Sequence, residues 1–318
     1  MMEILSNGPL NIIVDRGRIG FLASGVSRSG AIDSLSYELG NAMLGNSREA
    51  ASIEINNFPF KVRMSEACCV AITGALSTSR IGQKQHAPWS RLKVNAGETL
   101  VIEAPQEGRC VYLAIEGGIE VQRVLNSCAT DLKAAFGGHE GKALAKGDRL
   151  RSSPRNSAAS AAPSSLFDPA LQAYWRALSE AGTTVRVLPS AEWQEFSDES
   201  KERFFNTHYT VGRSSNRQGY RLSGAVLKRT VNRELLSHGI VPGTVQIPTS
   251  GEPIIQLVDA NTCGGYPKLV NVIEADLWKL GQLMPGRTLR FELTDIDAAL
   301  SAGAQRHSLF ETTATQWR

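Results

Sequence analysis

Val241 to Lys268 reads VPGTVQIPTSGEPIIQLVDANTCGGYPK. Two short strand-like runs, Thr244 to Ile247 and Pro253 to Val258, flank a Pro248-Thr-Ser-Gly251 turn, so the spacing predicts a β-hairpin. The hairpin delivers Asp259 into a loop that closes on Thr262-Cys-Gly-Gly-Tyr-Pro-Lys268. Gly264 and Gly265 there permit positive φ and close backbone approach, leaving amides free to face a ligand. An acid, a hydroxyl, bare amides, the Tyr266 phenol and Lys268 are thereby expected to converge after one strand. The bland alternative is a tight structural turn with Lys268 in solvent.

Working outward, the first half carries further strand patterns at Leu10–Val14, Ala51–Ile55, Phe60–Met64, Cys68–Thr73, Thr99–Glu103 and Val111–Ile115, separated by Gly, Pro, Asn and Ser turns. The second half adds Thr184–Leu188, Thr210–Gly212 and Thr288–Leu293. Short strands at this spacing argue for a β-barrel or sandwich rather than a βαβ sheet. Helical spacing falls in five places: Ser34–Leu44, a segment opened by Asp168-Pro169 with Leu171, Tyr174, Trp175 and Leu178 on one face, a charged segment after Ser190-Ala-Glu-Trp193 running through Phe205, Glu274–Leu283, and a terminal helix capped by Asp295 or Asp297 and running to about Ala304. Ala96-Gly-Glu-Thr-Leu-Val-Ile-Glu103 is echoed by Pro285-Gly-Arg-Thr-Leu-Arg-Phe-Glu292, each a glycine turn into an alternating strand. The echo lies either side of Arg151–Ser165, RSSPRNSAASAAPSS, which lacks bulky apolar residues and reads as a linker or surface loop. The expected layout is therefore an N-terminal β half over 1–150, a linker over 151–165, and a helical insert plus C-terminal β half over 166–318.

Composition narrows the function classes. The 318 residues carry a formal charge of +3 with no basic tract, which argues against nucleic acid as a partner. The N-terminus lacks a basic region followed by an apolar run, and no long apolar stretch occurs, so a cytoplasmic protein without a membrane partner is expected. The five cysteines show no paired spacing, which fits a reducing compartment; Cys263 stands out because it sits in the glycine loop. The five histidines are scattered, so no metal site is expected. There is no phosphate-binding G-x-x-x-x-G-K-[ST], no G-x-G-x-x-G, no G-x-S-x-G elbow and no Met-Lys-Met for biotin attachment. A catalyst built from this chain would work by loops, amides and arginines, or only together with another polypeptide.

Gly25-Val-Ser-Arg-Ser-Gly-Ala-Ile-Asp33 precedes the first helix. The stretch places two serines including Ser29, an arginine and Asp33 at a helix N-terminus, where free amides and the dipole favour an anion, while a plain capped helix with a serine-rich approach explains the same residues. Ser214-Ser-Asn-Arg-Gln-Gly-Tyr-Arg-Leu-Ser-Gly224 carries Arg217 and Arg221 around a turn.

Three stretches together, GVSRSGAID, YLAIEGGIEV with SCATDLKAAFGG, and SNRQGYRLSG leading to SHGIVPGTVQIPTSGEPIIQLVDANTCGGYPK, resemble the family called allophanate hydrolase subunit 2. It is also known as the KipA-like or biotin-dependent carboxyltransferase-like family, and it includes the C subunit of bacterial 5-oxoprolinase. The resemblance runs in order from about Asn11 to about Leu293. It implies a mainly β chain with a few helices, folded as tandem cyclophilin-like β-barrels. It implies as partners a KipI-like B and a LamB/YcsF-like A subunit, with ATP used by the assembled complex to open 5-oxoproline to glutamate. A urea or allophanate carboxyltransferase role and a regulatory role against a kinase inhibitor are its alternatives. On the 5-oxoprolinase reading the substrate is a small lactam bearing a carboxylate. Lys268 or Arg217 would then pair the carboxylate, with Arg221, Thr262, Ser29 and Asp33 as further binding candidates. The Gly264 and Gly265 amides would cradle an anionic oxygen, and Asp259 with Tyr266 would orient the ring.

Overall fold

The computed structural model describes residues 1–154, 164–165, 171–172, 175, 178, 182–231 and 233–315. Most of the expected linker, and Tyr174 of the helix after it, lie outside the described residues. The chain divides into two compact units. Unit 1 is Met1–Arg18, Ser29–Ala173 and Ser308–Arg318, and unit 2 is Ile19–Arg28 and Tyr174–His307. Each unit is thus drawn from separated pieces of sequence.

Unit 1 holds a seven-stranded and a six-stranded sheet. Its long central pair, Cys68–Leu76 and Glu107–Ile115, is antiparallel with Tyr112 opposite Thr73. Cys68–Ala75 and Cys110–Ile115 within them are buried on both faces, which explains their continuous apolar runs. The helix Ser34–Ala42 packs on this pair, as its apolar spacing predicts. Gly40 lets the helix sit close to the strand pair, since a Cβ would stand 3.0 Å from the Thr73 hydroxyl, which donates to the Ser36 carbonyl at 2.7 Å. The strands Met2–Ile4, Ser79–Ile81, Lys84–His86 and Ser90–Val94 have no counterpart in the sequence expectations. Ser164–Ser165, inside the expected linker, pairs with Ser90 and Arg91.

Unit 2 is a closed seven-stranded barrel. Around the barrel run Thr183–Pro189, Lys268–Val272, Thr244–Gln246, Ile254–Gln256, Gly219–Ser223, Tyr209–Val211 and Thr288–Leu293. A parallel pairing of Thr183–Pro189 with Thr288–Leu293 closes the ring and removes both free edges. The interior is filled by Val185, Val187, Tyr209, Tyr220, Val245, Ile255 and Leu289, all fully buried. Phe204, from the helix Asp198–Asn206, stacks on Phe291 at 4.3 Å.

The hairpin expected around Pro248–Gly251 forms, with Val245 opposite Ile255 and a Gly251 amide to Pro248 carbonyl bond of 2.9 Å. The internal echo is structural too: Gly97 and Gly286 both adopt left-handed φ, +82° and +86°, and each leads into a barrel or sheet strand. The terminal helix, capped by Asp295, runs Ile296–Thr315 and so extends well past Ala304.

Candidate functional site

Strand register places one polar row on the outside of the barrel. Arg221 lies opposite Ile254, Ile254 opposite Gln246, and Gln246 opposite Lys268, on four neighbouring strands. Because side chains alternate, the intervening Tyr220, Ile255 and Val245 point into the barrel and are fully buried. A bulge between Val245 and Gln246 skips one residue and brings Lys268 rather than Leu269 into the row. In the next row Gly219 lies opposite Gln256. Gly219, Arg221, Gln246, Ile254 and Gln256 form the floor of a cleft of about 1100 Å³.

Two walls rise from this floor. One is the segment 226–235, which supplies Val226, Leu227, Val231 and Leu235 as its apolar part. Glu195 anchors it: its carboxylate accepts from Arg229 Nε at 2.6 Å and from Arg233, and its carbonyl accepts from the Thr230 amide at 2.7 Å. Burial alone would raise the Glu195 pKa, but the hydrogen bonds and charges of Arg233 and Arg229 take it below the ordinary carboxylate value. The other wall is Cys263 to Pro267, where Cys263–Gly264 pairs antiparallel with His238–Gly239.

The two glycines of that wall have a different physical role from the one expected. Neither adopts positive φ. A Cβ on Gly265 would stand 2.8 Å from the Leu235 carbonyl oxygen, and one on Gly264 would stand 2.9 Å from Ile240 Cδ1 and 3.2 Å from Gln246 Nε2. They are small so that the walls and floor can approach, rather than so that the backbone can turn.

The sequence candidates separate accordingly. Arg217 and Asp259 meet in a buried bidentate pair, Nε to Oδ2 at 2.8 Å and Nη2 to Oδ1 at 3.3 Å, with side-chain exposures of 4% and 8%. Their charges face each other, and neither residue lines the cleft. Lys268 is buried rather than solvated: its Nζ donates to the His238 carbonyl at 3.4 Å, and its amide donates to Glu192 Oε2 at 2.8 Å. Burial pushes the Lys268 ammonium pKa down, with Glu192 and Cys263 opposing the shift. Thr262 holds the ribbon through its carbonyl, which accepts from the Ile240 amide at 2.8 Å. Arg221, Cys263, Gly264, Gly265 and Tyr266 line the cleft, and Tyr266 is half exposed.

Ser29 and Asp33 belong to unit 1. Asp33 is the N-cap of Ser34–Ala42, accepting from the Ser36 amide at 3.1 Å and hydroxyl at 2.6 Å, while its own amide donates to Tyr112 Oη at 2.9 Å. Ser29 is buried with φ +52°. These bonds make Asp33 a helix cap.

Gln246 and Gln256 are the floor residues that sequence reasoning does not single out. Gln256 Nε2 donates to Gln246 Oε1 at 2.8 Å, and Gln246 Nε2 reaches the Tyr266 carbonyl at 3.4 Å. The available signal is their position: each ends a short apolar strand, Thr244–Gln246 and Ile254–Gln256, on the face opposite the barrel interior. Among the described residues no group of three or more His, Cys, Asp or Glu could hold a metal ion, and no helix is long and apolar enough to cross a membrane.

The arrangement matches known proteins along its whole length. Over residues 24–293 the chain matches the family described as carboxyltransferase domain, subdomain A and B. It is 38% identical to the C subunit of 5-oxoprolinase from Escherichia coli strain K12, covering 100% of this chain and 98% of the relative. It is 35% identical to the 5-oxoprolinase C subunit of Haemophilus influenzae, covering 94% and 93%. The crystal structure of the Kluyveromyces lactis urea carboxylase superposes with a TM-score of 0.88 at 27% identity, covering 98% of this chain and 29% of that one. The chain belongs to the carboxyltransferase-domain family of subdomains A and B, the family that the three sequence stretches resemble.

Proposed function

We propose that the chain is the C subunit of a 5-oxoprolinase, a multi-subunit enzyme that opens the lactam of 5-oxo-L-proline with ATP and water to give L-glutamate, ADP and phosphate. The observation that carries this reading is the match to a 5-oxoprolinase C subunit over essentially the full length of both chains. The partners are a KipI-like B and a LamB/YcsF-like A subunit, in the cytoplasm, and the chain alone does not turn over. The barrel cleft is the part of the site that this chain contributes. It offers a mixed polar and apolar trough, an exposed guanidinium on Arg221, and two carboxamides on its floor.

The adjacent glycines of the cleft lie against the Ile240 side chain and the Leu235 carbonyl. This chain's residues bind and orient the lactam and restrict water, and no step through ATP is assigned to them. The test is ADP and glutamate formation by the three chains together, with each omitted in turn. Turnover that requires all three and depends on 5-oxoproline is the expected result; unchanged turnover without this chain would overturn the proposal.

A second reading, carboxyl transfer to a small acceptor, is favoured by the likeness to the urea carboxylase fold. It predicts that activity needs a biotinylated carrier and responds to urea, and the same reconstitution with urea in place of 5-oxoproline separates the two.

A further inference from the structure

The floor of the cleft carries a donor and acceptor edge that matches one functional group. Gln256 uses one Nε2 hydrogen on Gln246 Oε1 at 2.8 Å. Among the described residues its Oε1 and its second Nε2 hydrogen take no other partner, so they are available to a ligand in the cleft. Directly across the sheet stands Gly219, so no side chain on that strand competes for the space beside the amide. Gln246 is more than nine-tenths buried and fixes the orientation of Gln256, while Gln256 itself is only partly covered and lines the cleft. A lactam has a cis amide, which shows its N–H and its C=O side by side. A primary carboxamide meets such an edge with two antiparallel N–H···O bonds, closing a ring.

Arg221 completes the match. It projects from the same outer face, opposite Ile254, with Ile254 between it and Gln246. Gln256 lies on the neighbouring strand, opposite Gly219, so it is one strand spacing across and two residues along from Arg221, about 8 Å between the backbones. Among the described residues its guanidinium has no hydrogen-bond or carboxylate partner, and it lines the cleft. A five-membered lactam with a carboxylate on the ring carbon next to nitrogen fits between a carboxamide and a guanidinium at that separation, with the ring over Ile254.

We propose that Gln256, held by Gln246, reads the cis-amide edge of the substrate, and that Arg221 takes its carboxylate. This deepens the 5-oxoprolinase reading and rests on it for the identity of the ligand. It assigns substrate specificity to three residues of one barrel face, and it leaves Arg217 and Asp259 as structural.

The test is equilibrium binding, by calorimetry without ATP, of three compounds to the complex assembled from this chain and its partner subunits. The compounds are 5-oxo-L-proline, the lactone acid in which ring oxygen replaces N–H, and pyrrolidin-2-one, which lacks the carboxylate. The wild type should prefer the lactam acid over the lactone by about 10- to 100-fold, because the lactone leaves the Gln256 oxygen facing another acceptor. Gln256→Met, close in volume, should bring that ratio to about one, while Arg221→Ala should weaken the two acids alike and leave pyrrolidin-2-one unchanged. Gln256→Asn, which keeps the amide but withdraws it by one methylene, should give an intermediate ratio, and melting temperatures confirm that each variant is folded. A wild type that does not discriminate lactam from lactone, or a folded Gln256→Met that still does, overturns the inference. Lactam turnover by the same wild-type complex would show in that case that the 5-oxoprolinase reading survives.

Discussion

Breaking the Arg217–Asp259 pair tests how the barrel is held and what these residues are for. Both side chains are more than nine-tenths buried and joined by two bonds of 2.8 and 3.3 Å. The Asp259 amide also donates to the Arg217 carbonyl at 3.1 Å, so the pair ties the turn before Gly219 to the loop after Gln256. Arg217→Met leaves a carboxylate desolvated, and Asp259→Leu leaves a guanidinium in the same position. Each should cost about 3–5 kcal/mol, whereas the double variant should recover much of the loss because no buried charge is left unmatched. At about 2–4 °C per kcal/mol, either single variant lowers Tm by roughly 10 °C. The assay is a double-mutant cycle by urea unfolding, with lactam binding measured on the folded proteins. Single variants that each cost under about 1 kcal/mol yet abolish binding would refute the reasoning, since their charges would then serve the ligand and not each other.

Three further outcomes follow from the same geometry. Lys268 carries a lowered pKa in the folded chain, so between that value and its ordinary 10.5 the unfolded chain binds more protons; stability should rise with pH through that window, and Lys268→Met should flatten the slope in pH-dependent unfolding. Glu195 has a depressed pKa, so its anchoring of the 226–235 wall is full above the ordinary carboxylate range and fades as pH falls through and below it; hydrogen-exchange protection factors at Lys228 to Leu235, corrected for the intrinsic rate at each pH, should fall on acidification, and Glu195→Gln should show that lower protection already at neutral pH. Gly265→Ala puts a methyl 2.8 Å from the Leu235 carbonyl and should cost about 1–3 kcal/mol as the walls move apart, read as weaker lactam binding and faster exchange in the same segment.

Much of the architecture is legible in the chain because strand and turn signals are local. The Pro248–Gly251 hairpin, the Asp33 cap and the Gly97 and Gly286 turns are each set by a few neighbouring residues, and all appear where the pattern puts them. The strand Thr288–Leu293 matches its expected bounds to the residue. Short polar strands such as Lys84–His86 escape, because their pairing with Ser79–Ile81 rather than their own composition makes them strands. The terminal helix outruns its expected end because no glycine or proline stops it after Ala304 and its buried positions Phe310, Thr313 and Ala314 continue to pack.

The candidate site is legible in outline, and the structure separates its candidates into cleft-lining and paired residues. The chain alone points to the Asp259–Lys268 loop as the centre of interest, and five of its candidates, Arg221, Gly264, Gly265, Tyr266 and the flagged Cys263, do line one cleft. Residue type cannot tell a free arginine from a paired one, and Arg217 and Arg221 sit on the same short turn and strand with opposite fates. Nor can it tell why two glycines are needed: Gly264 and Gly265 answer to Ile240 and Leu235, distant in sequence, rather than to their own φ.

Local sequence thus settles what is governed by neighbours along the chain: hairpins, caps and left-handed turns. Closure of the barrel and the bulge that puts Lys268 beside Gln246 are settled by cross-strand register. So is the meeting of Gln246, Gln256 and Arg221 on one outer face. Register is a relation between strands: a shift of one residue would turn this whole row inward, and only the packed barrel interior excludes it.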